Sequence, residues 1–305
     1  MNILITGGAG YIGTELTIGL SKLAHVDSIL VYDNLSRGNY NLFLGEPKLP
    51  SKVSFRRAEL LDTRQLKDAL AGIDVVYHLA ANITTPFAQQ NPHFLEQINH
   101  WGTAELVYAI EQSDVKKLIY VSSTSVYGAS MEHVDAQSKL EPTTHYGISK
   151  MRGEQHVARI QRAGFPAWII RCGNVFGFSK SMRFDSVINR FIFEANFYRK
   201  INIHGKGAQH RSFIQIDRAC NVLANLIQAD LQPDVYNLVE KTMNIAAIAD
   251  ELKRIYPDLE MIYMDQMMNL RELRVNADAR IDQIASLPEM EFGEQLVQFK
   301  NSLTF

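Results

Sequence analysis

Glycines set three apart, in Thr6-Gly7-Gly8-Ala9-Gly10-Tyr11-Ile12-Gly13, separate an apolar run at 2–6 from a segment with helical apolar spacing through Ile12, Leu16, Leu20 and Leu23. A second strand-like run follows at 28–32. Strand, bare-backbone turn, helix and strand make a βαβ unit, which requires parallel strands joined by crossovers. Further runs of strand length at 53–57, 75–79, 118–122 and 167–171 alternate with helical segments near 63–71, 92–112 and 146–163. The pattern predicts an α/β fold with a doubly wound parallel sheet, right-handed crossovers and ligands at the carboxyl ends of the strands. Beyond about residue 172 the alternation fades into a Gly, Ser and Lys stretch at 173–181, a helix near 186–198 and a Gly-rich turn at 204–207. We therefore expect a first domain over 1–172 and a smaller C-terminal lobe over 173–305, with some of its segments returning to the sheet.

A glycine loop in this position lets backbone approach a pyrophosphate, which a Cβ would prevent, and the following helix N-terminus supplies N–H donors. Asp33 ends the second strand 20 residues after Gly13, where a carboxylate can accept both adenosine-ribose hydroxyls. Loop and carboxylate together indicate a Rossmann-type dinucleotide site. Asp33 favours NAD, because it would repel a 2′-phosphate, although Arg37 offers one a cation. Glu59 and Leu60, after the third strand, are placed to meet adenine; the competing reading of Glu59 is a solvated strand end.

Charge and composition exclude other classes. In 305 residues, 31 Lys and Arg balance 33 Asp and Glu for a net −2, leaving no basic footprint for nucleic acid. No apolar run reaches the roughly 18 residues of a spanning helix. Residues 1–10 show no charged leader, and the two cysteines, Cys172 and Cys220, are far apart and read as reduced core residues. A cytoplasmic protein is expected. The histidines show no ligand spacing, so no metal is implied. The aromatics at 184, 191, 193 and 197 and the methionines at 261, 264, 267 and 268 read as packing residues.

Tyr146 and Lys150 are separated by four positions, one turn apart on one helical face. A phenol near pKa 10 becomes a base at neutral pH only if lowered by about three units, roughly 4 kcal/mol of differential stabilisation, which a neighbouring ammonium can supply. The same string also occurs on exposed helices with a solvated lysine. Upstream, the strand at 118–122 runs into Ser122-Ser123-Thr124-Ser125, placing hydroxyls where such a sheet holds its ligand.

With these residues in place, the chain resembles the extended short-chain dehydrogenase/reductase family, the NAD-dependent nucleotide-sugar epimerases and dehydratases, most closely the UDP-glucose 4-epimerase branch. The resemblance runs through Gly7-x-x-Gly10-x-x-Gly13, Asp33-Asn34-Leu35, His78-Leu79-Ala80-Ala81, Asn99-x-x-Gly102-Thr103, Val126-Tyr127-Gly128, Tyr146-x-x-x-Lys150, Arg171-x-x-Asn174, Gly205-x-Gly207-x-Gln209-x-Arg211 and Tyr236-Asn237-Leu238. It implies Ser123, Tyr146 and Lys150 as catalytic residues, with Lys150 binding the nicotinamide ribose and depressing the tyrosine. It implies cofactor contacts from Gly7, Gly10, Tyr11, Ile12, Gly13, Asp33, Asn34, Arg37, Glu59, Leu60, Leu79, Ala80, Ala81, Ser122 and Asn99, the last lying beneath the nicotinamide. For a nucleotide-diphosphate sugar it implies Ser123, Thr124, Asn174, Ser186, Val187 and Arg211, and for the helices near 92–112 and 146–163 a homodimer interface.

Departures narrow the chemistry. Thr124 and Ser125 stand where the dehydratase branch carries Asp and Glu, and Ser125 where the decarboxylase branch carries Glu, so neither reaction is favoured. Ile83, His145, Lys206 and Ser212 replace residues usual in 4-epimerases, and Arg271 and Arg274 both stay open as a second diphosphate ligand or a solvated charge. The expectation is an NAD-dependent nucleotide-sugar epimerase acting through a 4-keto sugar. A keto-reductase or dehydrogenase on the same framework, or a catalytically silent dinucleotide sensor, are the alternatives.

Overall fold

Short apolar runs that mostly alternate with helices pair side by side without hairpins in the central sheet. The computed structural model, which describes residues 1–44, 48–83, 91–264 and 271–303, shows this layer by layer. The first half contains β1 (Asn2–Thr6), α1 (Tyr11–Ser21), β2 (Ser28–Asp33), β3 (Val53–Arg57), α2 (Thr63–Leu70), β4 (Val75–His78), α3 (Pro92–Leu95), α4 (Gly102–Glu111) and β5 (Lys117–Ser123). It continues with β6 (His133–Val134), α5 (His145–Arg162) and β7 (Ala167–Cys172). The chain then forms β8 (Asn174–Phe176), α6 (Val187–Tyr198), β9 (Lys200–His204), β10 (His210–Gln215), α7 (Ile216–Asn225), β11 (Val235–Leu238) and β12 (Lys241–Asn244). Last come α8 (Ile245–Ile255), β13 (Glu260–Met264), β14 (Arg274–Val275), α9 (Ala279–Asp282) and α10 (Phe292–Ser302).

Seven parallel strands form the central sheet in the order β11-β7-β5-β4-β1-β2-β3. The order reverses at β1, so the ends of β1 and β4 part and open a crevice there. Alternation along β1 feeds two cores: Ile3 and Ile5 pack with Leu16, Leu20, Val222 and Leu223 on one face, while Leu4 packs with Leu66, Leu106, Val107 and Val157 on the other. The single helix expected near 92–112 is broken by a π turn over Glu96–Trp101.

β7 ends at Cys172, and the next strand leaves the sheet: β8 pairs in parallel with β10, which pairs antiparallel with β12. β11, well beyond residue 172, returns to the central sheet beside β7. β9 pairs with β13 and β6 with β14. Phe191, Ile188, Ile192, Phe213, Ile248, Leu252, Leu296 and Phe299 form a separate core under these elements. Phe191 is thus a packing residue as expected, but Phe184 and Phe197 remain 40% and 45% exposed, each with its ring centroid 4.8 Å from that of Phe193 and tilted against it. Met261 packs against the lobe core and Met264 is exposed, while Met267 and Met268 lie outside the described residues. Both cysteines are buried and free.

Candidate active site

The loop after β1 owes its shape to glycines. Gly7 takes φ +72°, and a Cβ on it would lie 2.6 Å from the Ala80 backbone nitrogen. A Cβ on Gly13 would lie 2.3 Å from the Gly7 carbonyl oxygen, so helix α1 can sit this close to the loop only without one. Gly10 caps α1 with no side-chain hydrogen bond, leaving no side chain to compete for the first-turn N–H groups. Asp33 ties the loop to β2: its carboxylate accepts from Ala9 N at 3.1 Å and from Leu35 N at 2.8 Å. That second bond holds Leu35 at φ +58°, a conformation rare outside glycine. Burial raises the Asp33 pKa, against these two backbone donors.

A cavity of about 700 Å³ opens at the carboxyl ends of β1, β2, β4, β5 and β7 and reaches into the lobe. Its dinucleotide side is lined by Gly7, Gly10, Tyr11, Ile12, Gly13, Asp33, Asn34, Arg37, Glu59 and Leu60. Leu79, Ala80, Ala81, Ser122, Ser123, Tyr146 and Lys150 line its centre, and Asn174, Ser186, Val187 and Arg211 its lobe side. Asn34 donates to the Glu59 carboxylate at 2.9 Å, so that acid is partnered within the wall. Arg37 is an exposed rim residue whose charge faces Arg183, Asp185 and Tyr146.

Two expected contacts are not in the wall. Asn99 lies beneath it in the π turn, donating to the Asn82 carbonyl at 2.9 Å and to Ser149 Oγ at 3.0 Å while accepting from Asn82 N at 2.7 Å. It therefore holds Asn82, which does line the cavity, against helix α5. Thr124, expected at the substrate, is buried in the tight turn after β5 and is corrected to a core position. Ser123 caps that turn, accepting from Ser125 N at 3.1 Å, so Ser123 and Ser125 face the cavity and the residue between them turns inward.

Tyr146 sits in the first turn of α5, whose N-cap Thr144 accepts from Gly147 N at 3.0 Å. Burial pushes the Tyr146 hydroxyl up, while the Arg183 charge and a hydrogen bond with Ser123 pull it down, with Arg37 adding to them. Arg183 is the lowering cation of largest effect, and nothing in the sequence marks it; it follows the irregular stretch at 173–181 and is held by Asp185 at 2.6 Å. Lys150, to which that role was assigned from the sequence, instead donates to the Val121 carbonyl at 2.7 Å, with its ammonium 4.2 Å from the Tyr120 ring centroid. Burial pushes Lys150 down to about 7.

On the lobe side, Arg211 and Arg271 both line the cavity, and burial together with the Arg271 charge pushes Arg211 down to about 10. Arg274 is used elsewhere, donating to Glu272 at 2.9 Å. Two guanidinium groups facing one cavity repel each other, and an anion with two oxygens to offer could pair with both. Buried hydroxyls without a protein partner among the described residues occur on both sides, at Ser122 and Ser186.

The family model for NAD dependent epimerase/dehydratases matches residues 3–238. The chain belongs to this family. As a family member it is an NAD-dependent enzyme, and the structure fits the cofactor: the loop is bare where Gly7 and Gly13 leave no room for a Cβ, and Asp33 and Ser122 face the same crevice. Its relatives include the dTDP-D-glucose 4,6-dehydratase of Mus musculus, 30% identical over 82% of this chain and 71% of the relative. A putative UDP-glucose 4-epimerase of Methanocaldococcus jannaschii is 29% identical over 77% and 76%. Among solved structures, the UDP-glucuronic acid 4-epimerase of Bacillus cereus in complex with UDP-glucuronic acid and NAD superposes with a TM-score of 0.85, at 25% identity over 99% of this chain and 98% of that one.

The glycine geometry carries a prediction for this family member. Gly13→Ala is expected to weaken NAD binding by more than about tenfold in a fluorescence titration, because backbone must move from backbone. Gly19→Ala, in the same helix with nothing within 4 Å of its Cβ, is expected to bind NAD normally and to stabilise the fold by up to about 1 kcal/mol.

Proposed function

We propose that the protein is a nucleotide-sugar 4-epimerase, most like those acting on UDP-hexoses. The observation that carries this is one cavity holding the Ser123–Tyr146 hydroxyl pair at its centre and the Arg211–Arg271 pair in its lobe. Asp33, Glu59 and Asp185 are its only acids among the described residues; the first two belong to the dinucleotide side and Asp185 is bound to Arg183. Elimination of water needs a second acid and base beside the tyrosine, and Thr124 and Ser125 supply none.

Asp33 would hold the adenosine ribose, the loop of Gly7, Gly10 and Gly13 the pyrophosphate, and Lys150 the nicotinamide ribose. NAD, when bound, supplies hydride exchange at the sugar. Tyr146 takes the proton of the C4 hydroxyl and returns it to the alcohol of either configuration, while Ser123 shares that proton. Arg211 and Arg271 hold the diphosphate through paired N–H groups, which leaves the sugar free to present either face.

No helix among the described residues is long and apolar enough to cross a membrane, and we place the enzyme in the cytoplasm, where two buried free thiols persist. We place a homodimer interface on α4 and α5, beside which Trp101 and Tyr108 are 55% and 44% exposed.

Incubation with UDP- and dTDP-hexoses and hexuronic acids, followed by proton NMR, tests the reading. The expected product is a C4 stereoisomer with no net NADH. Formation of a 4-keto-6-deoxy sugar, or consumption of added NAD(P)H in step with product, would overturn it.

A further inference from the structure

Helix α5 carries Tyr146, Lys150 and Glu154 on successive turns of one face, and the last two are 2% and 4% exposed. An ammonium so far from water needs a negative charge or it loses its proton. The groups that face Lys150 are the Val121 carbonyl and Tyr120 ring of β5, His78 of β4, Cys172 of β7, and Tyr146 and Glu154 of its own helix. Most of them are neutral. Burial and the Lys150 charge push His78 down to about 3, burial pushes the Cys172 thiol up to about 12, and burial lifts Tyr120 and Tyr146 above the ordinary phenol range. Glu154 is the remaining acid.

That carboxylate is held in place from β7. Arg171 donates to it from Nε at 3.0 Å and from Nη2 at 2.8 Å, and uses Nη1 to reach Tyr127 Oη at 2.9 Å and the Ala136 carbonyl at 3.1 Å. Tyr127 in turn donates to Asn237 of β11 at 2.6 Å. The clamp spans two neighbouring strands of the central sheet and the turn after β5. An ion pair serving only to tie α5 to β7 would need no particular distance from Lys150, whereas this one lies a single helical turn behind it.

We infer that Glu154 is a positioning residue that keeps Lys150 charged, its carboxylate aimed by Arg171 from the turn behind the ammonium. The inference rests on the proposed role of Lys150 at the nicotinamide ribose. A protonated Lys150 is required for that role, so activity falls as pH rises through its titration. Loss of the carboxylate favours the neutral amine and moves that fall to lower pH.

Glu154→Gln is expected to shift the alkaline limb of kcat, and of NAD affinity measured by fluorescence, down by about one pH unit. Glu154→Asp, which keeps the charge, is expected to hold the limb in place even if kcat drops. Should the stranded Arg171 charge prevent Glu154→Gln from folding, E154Q/R171M removes both buried charges together. Its limb is still expected to move down, though by less than in Glu154→Gln, because the nearer Glu154 charge outweighs the opposing Arg171 charge that leaves with it. An unmoved limb in either folded variant overturns the inference. If Tyr146→Phe is inactive while that limb stays, only this inference has failed; if Tyr146→Phe turns over normally, the proposed function has failed first.

Discussion

Tyr146→Phe is expected to lower kcat by about 10²–10⁴-fold, the usual range for a positioned acid–base group, while NAD binding changes little. The substitution removes one oxygen and keeps the ring, so the first turn of α5 and its Thr144 cap are preserved. Burial alone would make this hydroxyl a poorer base than a free phenol, and the opposing groups, Arg183 and Ser123, are held by Asp185 and by the turn after β5. Ser123 stays in the variant and can still hydrogen-bond the substrate, but it has no partner to receive the proton. A Phe variant within threefold of the parent, assayed by NMR on a confirmed substrate, would remove Tyr146 from the mechanism. Retention of NAD in the inactive variant would show that the loss is chemical.

Arg211→Met and Arg271→Met are each expected to weaken binding of UDP, read by calorimetry, by about 30- to 150-fold, equivalent to roughly 2–3 kcal/mol for loss of one charge-assisted partner of a phosphate. Methionine retains most of the apolar stem, so the pocket wall survives. Burial and the Arg271 charge lower the tendency of Arg211 to hold a proton in the free protein, so removing either arginine relieves repulsion. Thermal stability of the free variants is therefore expected to stay level or rise, which separates a binding defect from unfolding. Arg274→Met is the control: its guanidinium is committed to Glu272 and is expected to leave UDP affinity within twofold. Equal UDP affinity in all three variants would move the diphosphate elsewhere.

Local sequence signals determined the nucleotide half of this protein. The Gly7–Gly13 loop, Asp33 and the strand-length runs up to residue 171 each express a constraint within a few residues: a turn that tolerates no Cβ, a pleat with period two, a helix face with period 3.6. Tyr146 and Lys150 were legible for the same reason, since four positions on a helix is one turn. Where the partners are distant in sequence, such signals end. β8 and β12 are three and four residues long and owe their pairing to β10, whose partner residues lie 39 positions after those of β8 and 28 to 34 positions before those of β12, with α7 and β11 between. Spacing could not separate Arg271 from Arg274; in the fold Arg271 lines the cavity while Arg274 donates to Glu272, and the proposal for Arg271 follows from that difference. The inward turn of Thr124 followed from the cap made by Ser123. The electrostatics came from packing: Arg183 reaches Tyr146 across the fold, and Glu154 matters to Lys150 because His78, Tyr120 and Cys172 close around the amine and exclude water. Residue types and spacing state which groups can ionise; only burial, a property of the assembled chain, decides which of them do.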